Sequence, residues 1–181
     1  MYEVEVKVPA DIERIRSRLE ALEATPRGRV VQEDTYYDAP HRSFPETDEA
    51  LRIRSESRPD GGDSEARVTY KGPLVDEHSK SREEFETAVG DGETMAAVLT
   101  NLGFEPVATV RKARERFALE GYTITLDDVD DVGEYVEVET DVDGEEALED
   151  AREGAFGVLE RLELDPDDQL RTSYLELVLD S

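Results

Sequence analysis

The amino-acid sequence predicts an α+β fold, in which an antiparallel β-barrel or a strongly curved sheet carries helices on its outside. Three observations support this fold class. Eight or more segments alternate as strands do, three segments space their apolar residues as helices do, and no strand–helix–strand rhythm runs along the chain. With 181 residues the chain has the size of one domain, so we expect a single domain over residues 1–181.

The predicted strands are alternating, β-branched or aromatic segments bounded by turn residues. The first is the clearest, since Glu3, Glu5 and Lys7 occupy one phase of residues 2–8 and valines occupy the other. Gly72 and Pro73 are expected to end the fourth strand. In chain order, the predicted strands are residues 2–8, 30–38, 51–56, 65–71, 81–89, 107–119, 122–127, 134–140 and 173–179.

Three amphipathic helices are predicted between the strands, over residues 11–22, 91–102 and 147–162. The first places Ile12, Ile15 and Leu19 on a single apolar stripe. Gly103 is a stop signal for the second helix, because glycine readily adopts the conformation that ends a helix. Each helix is expected to pack its one apolar face on the outside of the sheet.

The chain is strongly acidic, with 47 Asp and Glu residues against 21 Lys and Arg, and only four of the basic residues are lysine. The formal net charge at pH 7 is −26. This composition fits an acidic interaction protein, or adaptation to a cytoplasm of very high salt, where salt screens the repulsion between carboxylates. We favour the second interpretation, a halophilic source. An acidic surface also repels nucleic acids and anionic membranes, so we expect neither as a partner.

The expected location is the cytoplasm. No apolar run approaches the roughly 20 residues that a membrane-spanning helix needs. The N-terminus lacks a basic-then-apolar signal segment, and the chain has no cysteine that could form a disulfide.

One phase of nearly every predicted strand is charged, while the opposite phase is apolar or mixed. The usual meaning of such alternation is a solvated face on a half-buried strand. We favour a charged face that points into the barrel, because an acidic surface has little use for scarce cations and three of the four lysines fall in these phases. The charged-phase residues are Glu3, Glu5, Lys7, Arg52, Arg54, Arg67, Lys71, Arg82, Glu84, Glu86, Lys112, Arg114, Arg116, Asp127, Glu137 and Glu139.

An inward face of this kind indicates an anionic guest, because buried cations without partners are costly. Carboxylates in Glu-x-Glu pairs favour a hard divalent cation such as Mg²⁺ or Mn²⁺, which prefers oxygen ligands and often bridges to phosphate. A polyphosphate with a bound metal ion satisfies both requirements.

The opening Glu-Val-Glu-Val-Lys resembles the Glu-x-Glu-x-Lys signature of the CYTH superfamily, the triphosphate tunnel metalloenzymes that include class IV adenylate cyclase and thiamine triphosphatase. Further segments resemble the family in the same order, from residue 2 to about residue 179. They are residues 34–38, 51–54, 69–73, 81–86, 111–114, 126–139 and 173–176.

The resemblance implies an eight-stranded antiparallel β-barrel that forms a tunnel, and it implies roles for the charged residues. Arg67, Glu84 and Glu86 are further candidates in the tunnel. The implied catalytic residues are Glu3, Glu5, Lys7, Lys112 and Arg114. The implied triphosphate-binding residues are Lys7, Arg52, Arg54, Lys71, Arg82, Lys112, Arg114 and Arg116. The implied ligands of Mg²⁺ or Mn²⁺ are Glu3, Glu5, Asp127, Glu137 and Glu139.

Two reactions fit such a tunnel. The leading prediction is class IV adenylate cyclase, which converts ATP to cyclic AMP and pyrophosphate; the alternative is an inorganic triphosphatase or another triphosphate hydrolase. A noncatalytic protein that binds nucleotide or polyphosphate is a third possibility. The expected partner is a small molecule with a triphosphate group, such as ATP or tripolyphosphate, and the resemblance makes a homodimer plausible.

The high-salt hypothesis predicts that the unfolded protein refolds only when KCl is raised to molar concentrations, because screening must first reduce carboxylate repulsion. A refolding titration against KCl, followed by circular dichroism, measures this. Complete folding in dilute buffer would contradict the hypothesis.

Overall fold

The fold is a closed barrel of eight antiparallel strands, and it confirms the predicted fold class. The computed structural model describes residues 1–180. Around the barrel the strands are ordered β1-β5-β4-β3-β2-β6-β7-β8, and β8 pairs with β1 to close it. The strands are β1 (Tyr2–Pro9), β2 (Thr25–Asp38), β3 (Ala50–Ser57), β4 (Glu65–Leu74), β5 (Lys80–Val89), β6 (Glu105–Leu119), β7 (Tyr122–Val129) and β8 (Gly133–Val142).

The three predicted helices are present, with two further short ones. The helices are α1 (Ile12–Ala21), α2 (Phe44–Thr47), α3 (Gly92–Asn101), α4 (Leu148–Arg161) and α5 (Tyr174–Asp180). Asp11 and Asp91 cap α1 and α3, since each carboxylate accepts a hydrogen bond from the backbone of the first turn. Gly103 follows α3 with a φ of 95°, as its predicted stop function requires. Within the described residues, the helices are all too short or too polar to cross a membrane.

The last predicted strand, residues 173–179, is wrong, because this segment forms helix α5. A closed barrel offers no free edge with which a ninth strand could pair. Leu175 and Val178, three residues apart, instead pack with Tyr174 against Val110 and Tyr135 at one end of the barrel.

Two strand boundaries also differ from the prediction. β4 continues through Gly72 and Pro73 to Leu74, with a register shift against β5 after Lys71 that accommodates this segment. β2 begins at Thr25, where its extra residues pair with the long strand β6.

The main hydrophobic core lies outside the barrel wall, between the strands and the helices. Val6 and Val8 point outward from β1 and are fully buried against Ile15 and Leu19 of α1 and Leu159 of α4. Because side chains alternate along a strand, the opposite phase of β1 must point into the barrel. The hydrophobic effect therefore holds the helices on the wall and leaves the interior to the charged residues.

Helix α4 approaches β7 closely at Gly154. The Tyr122 hydroxyl donates a hydrogen bond to the Ala151 carbonyl at 2.8 Å, and a Cβ atom added at Gly154 would overlap this hydroxyl. Gly157, on the same helix, has open space around it.

We expect Gly154→Ala to lower the free energy of unfolding by about 1–3 kcal/mol, because Tyr122 must move and its hydrogen bond is lost. Gly157→Ala is the matched control, and it should raise the free energy of unfolding by up to about 1 kcal/mol, since alanine is the better helix former. Urea unfolding of both variants measures the difference. Equal effects would show that the Tyr122 contact does not constrain α4.

Candidate functional site

The charged phases of the strands line the inside of the barrel, as the preferred interpretation of the sequence predicted. Lys7 is fully buried, Lys112 is 2% exposed and Arg54 is 9% exposed, so these side chains are not solvated surface groups. In the strand ladders Glu5 lies opposite Glu139 and Lys7 lies opposite Glu137. The alternation therefore places charges from neighbouring strands side by side in one interior.

These side chains surround a cavity of about 480 Å³, within the range typical of small-molecule sites. Lys7 and Asp127 are buried behind Tyr174 rather than at the cavity surface. Arg67 is exposed and lies opposite Arg54 in the ladder, outside the set that lines the cavity. The predicted residues that line it are Glu3, Glu5, Arg52, Arg54, Lys71, Arg82, Glu84, Glu86, Lys112, Arg114, Arg116, Glu137 and Glu139.

Three of the predicted metal ligands form a compact carboxylate cluster. Oxygen atoms of Glu3, Glu5 and Glu139 all lie within 4.8 Å of one another. Glu3 and Glu5 are two residues apart on one face of β1, and Glu139 faces Glu5 from β8, so the strand register itself creates the cluster. A buried set of hard oxygen ligands suits Mg²⁺ or Mn²⁺.

The raised pKa values of several of these carboxyl groups indicate that negative charge is in excess around the cluster. Burial raises the pKa of Glu3 to about 8 and that of Glu139 to about 7. Burial and then Glu5 raise the pKa of Glu137 well above its ordinary value, whereas Lys80 and the hydrogen bond with Glu137 overcome burial and lower that of Glu5. Protonation therefore compensates the excess negative charge of these carboxylates, and a bound divalent cation could compensate it instead.

Two lysines lie directly beside the carboxylate cluster. The Lys71 ammonium is 3.0 Å from a Glu3 oxygen, and the Lys80 ammonium is 3.3 Å from a Glu5 oxygen. Lys80 was not among the predicted site residues. Its phase is the signal that could have found it, because Lys80 shares the inward phase of Arg82 and Glu84 on β5.

The opposite wall of the cavity has an excess of positive charge, and Asp34 holds two of its cations in place. Arg54 donates two hydrogen bonds to Asp34, at 2.7 and 2.8 Å, and the Lys112 ammonium lies 2.9 Å from one of its oxygens. Burial would raise the pKa of Asp34, but these cations hold it well below its ordinary value. Asp34 was not among the predicted site residues, although it lies within the family-like segment 34–38.

Asp127 forms a second anchor of this kind and is not part of the three-carboxylate cluster. Arg114 donates to its two oxygens at 2.7 and 2.6 Å, and also contacts Glu137 at 2.5 Å. Burial opposes ionisation, yet Arg114 lowers the pKa of Asp127 to about 2. Both Asp127 oxygens therefore orient Arg114, and the role of Asp127 as a metal ligand stays a prediction.

Tyr174 of helix α5 completes this wall from outside the strands. Its hydroxyl donates to Asp127 at 2.8 Å, and the Lys7 ammonium lies 3.9 Å from the centre of its ring. Burial, then the Glu137 and Asp127 carboxylates, raise the pKa of Tyr174 well above its ordinary value, so the phenol keeps its proton. The Lys7 ammonium also donates to the Thr172 carbonyl at 2.7 Å.

The CYTH domain model matches residues 1–174, which is nearly the whole chain. The chain belongs to the CYTH family. It is 38% identical over 178 residues to a Methanocaldococcus jannaschii protein named "Putative adenylate cyclase MJ0240", with 98% of each protein covered.

Solved structures agree with this family membership. The chain superposes on the PH1819 protein of Pyrococcus horikoshii with a TM-score of 0.91, at 38% identity and with 98% of each chain covered. A Hippeastrum protein described as a "putative adenylyl cyclase" that "reveals a dominant" triphosphatase activity gives a TM-score of 0.63 at 16% identity, covering 90% of this chain and 88% of the other. The second likeness supports the fold alone.

The half-buried ion pair of Glu56 and Arg116 makes a pH-dependent contribution to stability. Glu56 accepts hydrogen bonds from Gln32 at 2.7 Å and from Arg116 at 3.0 Å. Burial opposes ionisation, but Arg116 and Gln32 lower the pKa of Glu56 to about 2. Since the folded-state pKa lies below the unfolded value of 4.5, this stabilisation is present above pH 4.5 and is lost as pH falls toward 2.

We expect Glu56→Gln to lower the free energy of unfolding by about 2 kcal/mol at pH 7, because hydrogen bonds to a charged group are lost. The difference from wild type should vanish between pH 4.5 and about 2. Glu153→Gln, at an exposed position on α4, controls for the loss of one negative charge. Urea unfolding across this pH range measures the effect, and a constant difference at all pH values would contradict it.

Proposed function

We propose that this chain is a divalent-metal-dependent enzyme that acts on a triphosphate inside the barrel, and that its reaction is the conversion of ATP to cyclic AMP and pyrophosphate. The observation that carries the proposal is the shared cavity, in which a carboxylate cluster faces a wall of buried cations. A metal ion and a triphosphate are the complementary guests of these two regions.

Glu3, Glu5 and Glu139 would hold Mg²⁺ or Mn²⁺, with Glu137 beside them. Bound there, the ion would compensate the negative charge on the phosphate oxygens and orient them. Carboxylate oxygens suit both metals.

The cation wall would bind and orient the triphosphate. Arg114 and Lys112 are already fixed by Asp127 and Asp34, so little side-chain freedom is lost when phosphate oxygens bind. Arginine guanidinium groups also present paired donors that match phosphate oxygens. Lys71 and Lys80 stand beside the carboxylate cluster and reach the boundary between the two regions.

In the cyclase reaction the ribose 3′-hydroxyl attacks the α-phosphorus, and the bond to the departing pyrophosphate breaks. Charge grows on the pyrophosphate oxygens during this step, and the prearranged cations of the cavity would stabilise it. The adenylate cyclase assignment is supported by the 38% identity with the Methanocaldococcus jannaschii protein over 98% of both chains.

Hydrolysis of a triphosphate is the second candidate. Water would attack the terminal phosphorus, and the same cations would stabilise the same kind of charge. The site favours this candidate in one respect, because the charged residues that line the cavity recognise the triphosphate and not the group attached to it.

Product analysis tests the proposal. The purified protein is incubated in high KCl with Mg²⁺ or Mn²⁺ and either ATP or tripolyphosphate, and all products are resolved by chromatography. Cyclic AMP with an equal amount of pyrophosphate is the expected result. Orthophosphate, chiefly from tripolyphosphate, would establish a hydrolase instead, and binding without any product would indicate a noncatalytic carrier.

Variants of the two regions test the assigned roles. Glu5→Gln and Glu139→Gln should each lower kcat at least about 100-fold with the fold intact, because the metal site loses a charged ligand. Lys112→Ala should weaken tripolyphosphate binding about tenfold or more, because a charge-assisted contact is removed.

Matched controls lie on the outer face of the barrel. Arg111→Ala removes the neighbouring cation, which is 53% exposed, and Glu33→Gln neutralises a carboxylate that is 54% exposed. Both controls should retain wild-type kcat and binding. Near-wild-type activity in the three tunnel variants, with folding verified by circular dichroism, would refute the tunnel as the active site.

A further inference from the structure

Among residues 1–180, Tyr174 is the only aromatic residue whose ring contacts cations from two different strands of the barrel interior. The Lys7 ammonium of β1 lies 3.9 Å from its ring centre, and the Lys112 ammonium of β6 lies 5.3 Å from it. The ring itself is only 7% exposed. Tyr174 therefore bridges two cations that the strand register alone leaves apart.

Polar contacts fix the ring in this position. The Tyr174 hydroxyl donates to Asp127, which also accepts two of the three hydrogen bonds that Arg114 donates. The chain just before Tyr174 is tied to β1, where the Leu170 backbone donates to the Lys7 carbonyl at 2.7 Å and Thr172 accepts from the Lys7 ammonium. The edge of Tyr135 packs against the ring at a centroid distance of 5.5 Å.

An aromatic ring offers these ammonium groups a contact of a particular kind. The face of the ring attracts a cation through its quadrupole, but the ring carries no net charge. A carboxylate in the same place would hold the lysines and also cancel their charge toward a phosphate group. The ring holds them and adds no negative charge to that of Asp34, which Lys112 already contacts.

We propose that Tyr174 is a positioning residue, whose ring holds the Lys112 ammonium at the phosphate-binding wall and packs against the Lys7 ammonium, which is buried behind that wall. The inference rests on the proposed function of the cavity as a triphosphate site. It assigns helix α5 a role in ligand binding, in addition to the roles of the strand residues.

A purely structural role for Tyr174 is the competing explanation, because a buried ring also stabilises the end of the barrel. The two explanations differ in what substitution changes. Loss of packing lowers the free energy of unfolding, whereas loss of positioning weakens anion binding in molecules that are still folded.

The test compares three variants by calorimetric titration with Mg²⁺-tripolyphosphate in high KCl. Tyr174→Leu removes the ring, and its Kd for tripolyphosphate should rise about tenfold, since two cation contacts are released. Tyr174→Phe keeps the ring and loses the hydroxyl, so its Kd should stay within about threefold of wild type. Phe117→Leu removes a buried ring from the outer hydrophobic core, outside the cavity lining and the cluster around Tyr174, and it should bind tripolyphosphate as wild type does.

Thermal unfolding of the same variants separates stability from binding. We expect Phe117→Leu and Tyr174→Leu both to lose stability, but only Tyr174→Leu should lose affinity. An unchanged Kd in Tyr174→Leu, while wild type binds tripolyphosphate, would overturn the inference and leave the proposed function intact. A similar loss of affinity in Phe117→Leu would also overturn it, because general loosening would then explain both variants.

A spectroscopic measurement tests the positioning itself without any triphosphate. A lysine held over an aromatic face has its ε-methylene proton signals shifted upfield by the ring current. These shifts in Lys7 should persist in Tyr174→Phe and disappear in Tyr174→Leu. If wild type binds no triphosphate, the proposed function fails, but the Lys7 shifts still decide whether Tyr174 positions Lys7. Unshifted Lys7 signals in wild type would refute the positioning.

Discussion

The structure depends on compensation of buried charge inside the barrel. Removing an ion from water costs several kcal/mol unless partners replace its hydration, and this interior contains many ions. Asp34 compensates Arg54 and Lys112 on one wall, and Asp127 compensates Arg114 beside it. The arginine contacts are bidentate, and although burial opposes ionisation, Asp127 and Glu137 raise the pKa of Arg114 well above its ordinary value. At Lys112 the compensation is incomplete, because burial lowers the pKa of this lysine to about 8.

The compensation is uneven, and the unevenness is what makes the interior a binding site. Around Asp34 and Asp127 cations prevail, and the pKa values of these carboxyl groups are lowered. Around Glu3 and Glu139 carboxylates prevail, and their pKa values are raised. One cavity thus contains a region that accepts an anion and a region that accepts a cation, which is the charge pattern of a metal-bound triphosphate.

The sequence predicted most of this arrangement because a strand alternates with a period of two. Once Val6 and Val8 are assigned to the helix-covered outer face, Glu5 and Lys7 must point inward. Lys80 escaped prediction because it lies one residue before the expected strand. Asp34 escaped it because its neighbours in the same phase, Gln32 and Tyr36, are uncharged, so no run of charges marks that phase. Such residues become functional through cross-strand neighbours, which depend on the register of a closed barrel and not on local spacing.

Helix α5 shows why local pattern also failed at the C-terminus. Residues 173–179 are rich enough in leucine and valine to resemble a strand, but the pairing of β8 with β1 leaves no edge for them. The segment can satisfy its backbone hydrogen bonds only internally, and a helix does so. Its first residue, Tyr174, then reaches the wall at the point where Lys7 and Lys112 converge. Barrel closure therefore forces the terminal segment out of the sheet, and the same step brings an uncharged ring against two cations, of which Lys112 is already paired with Asp34.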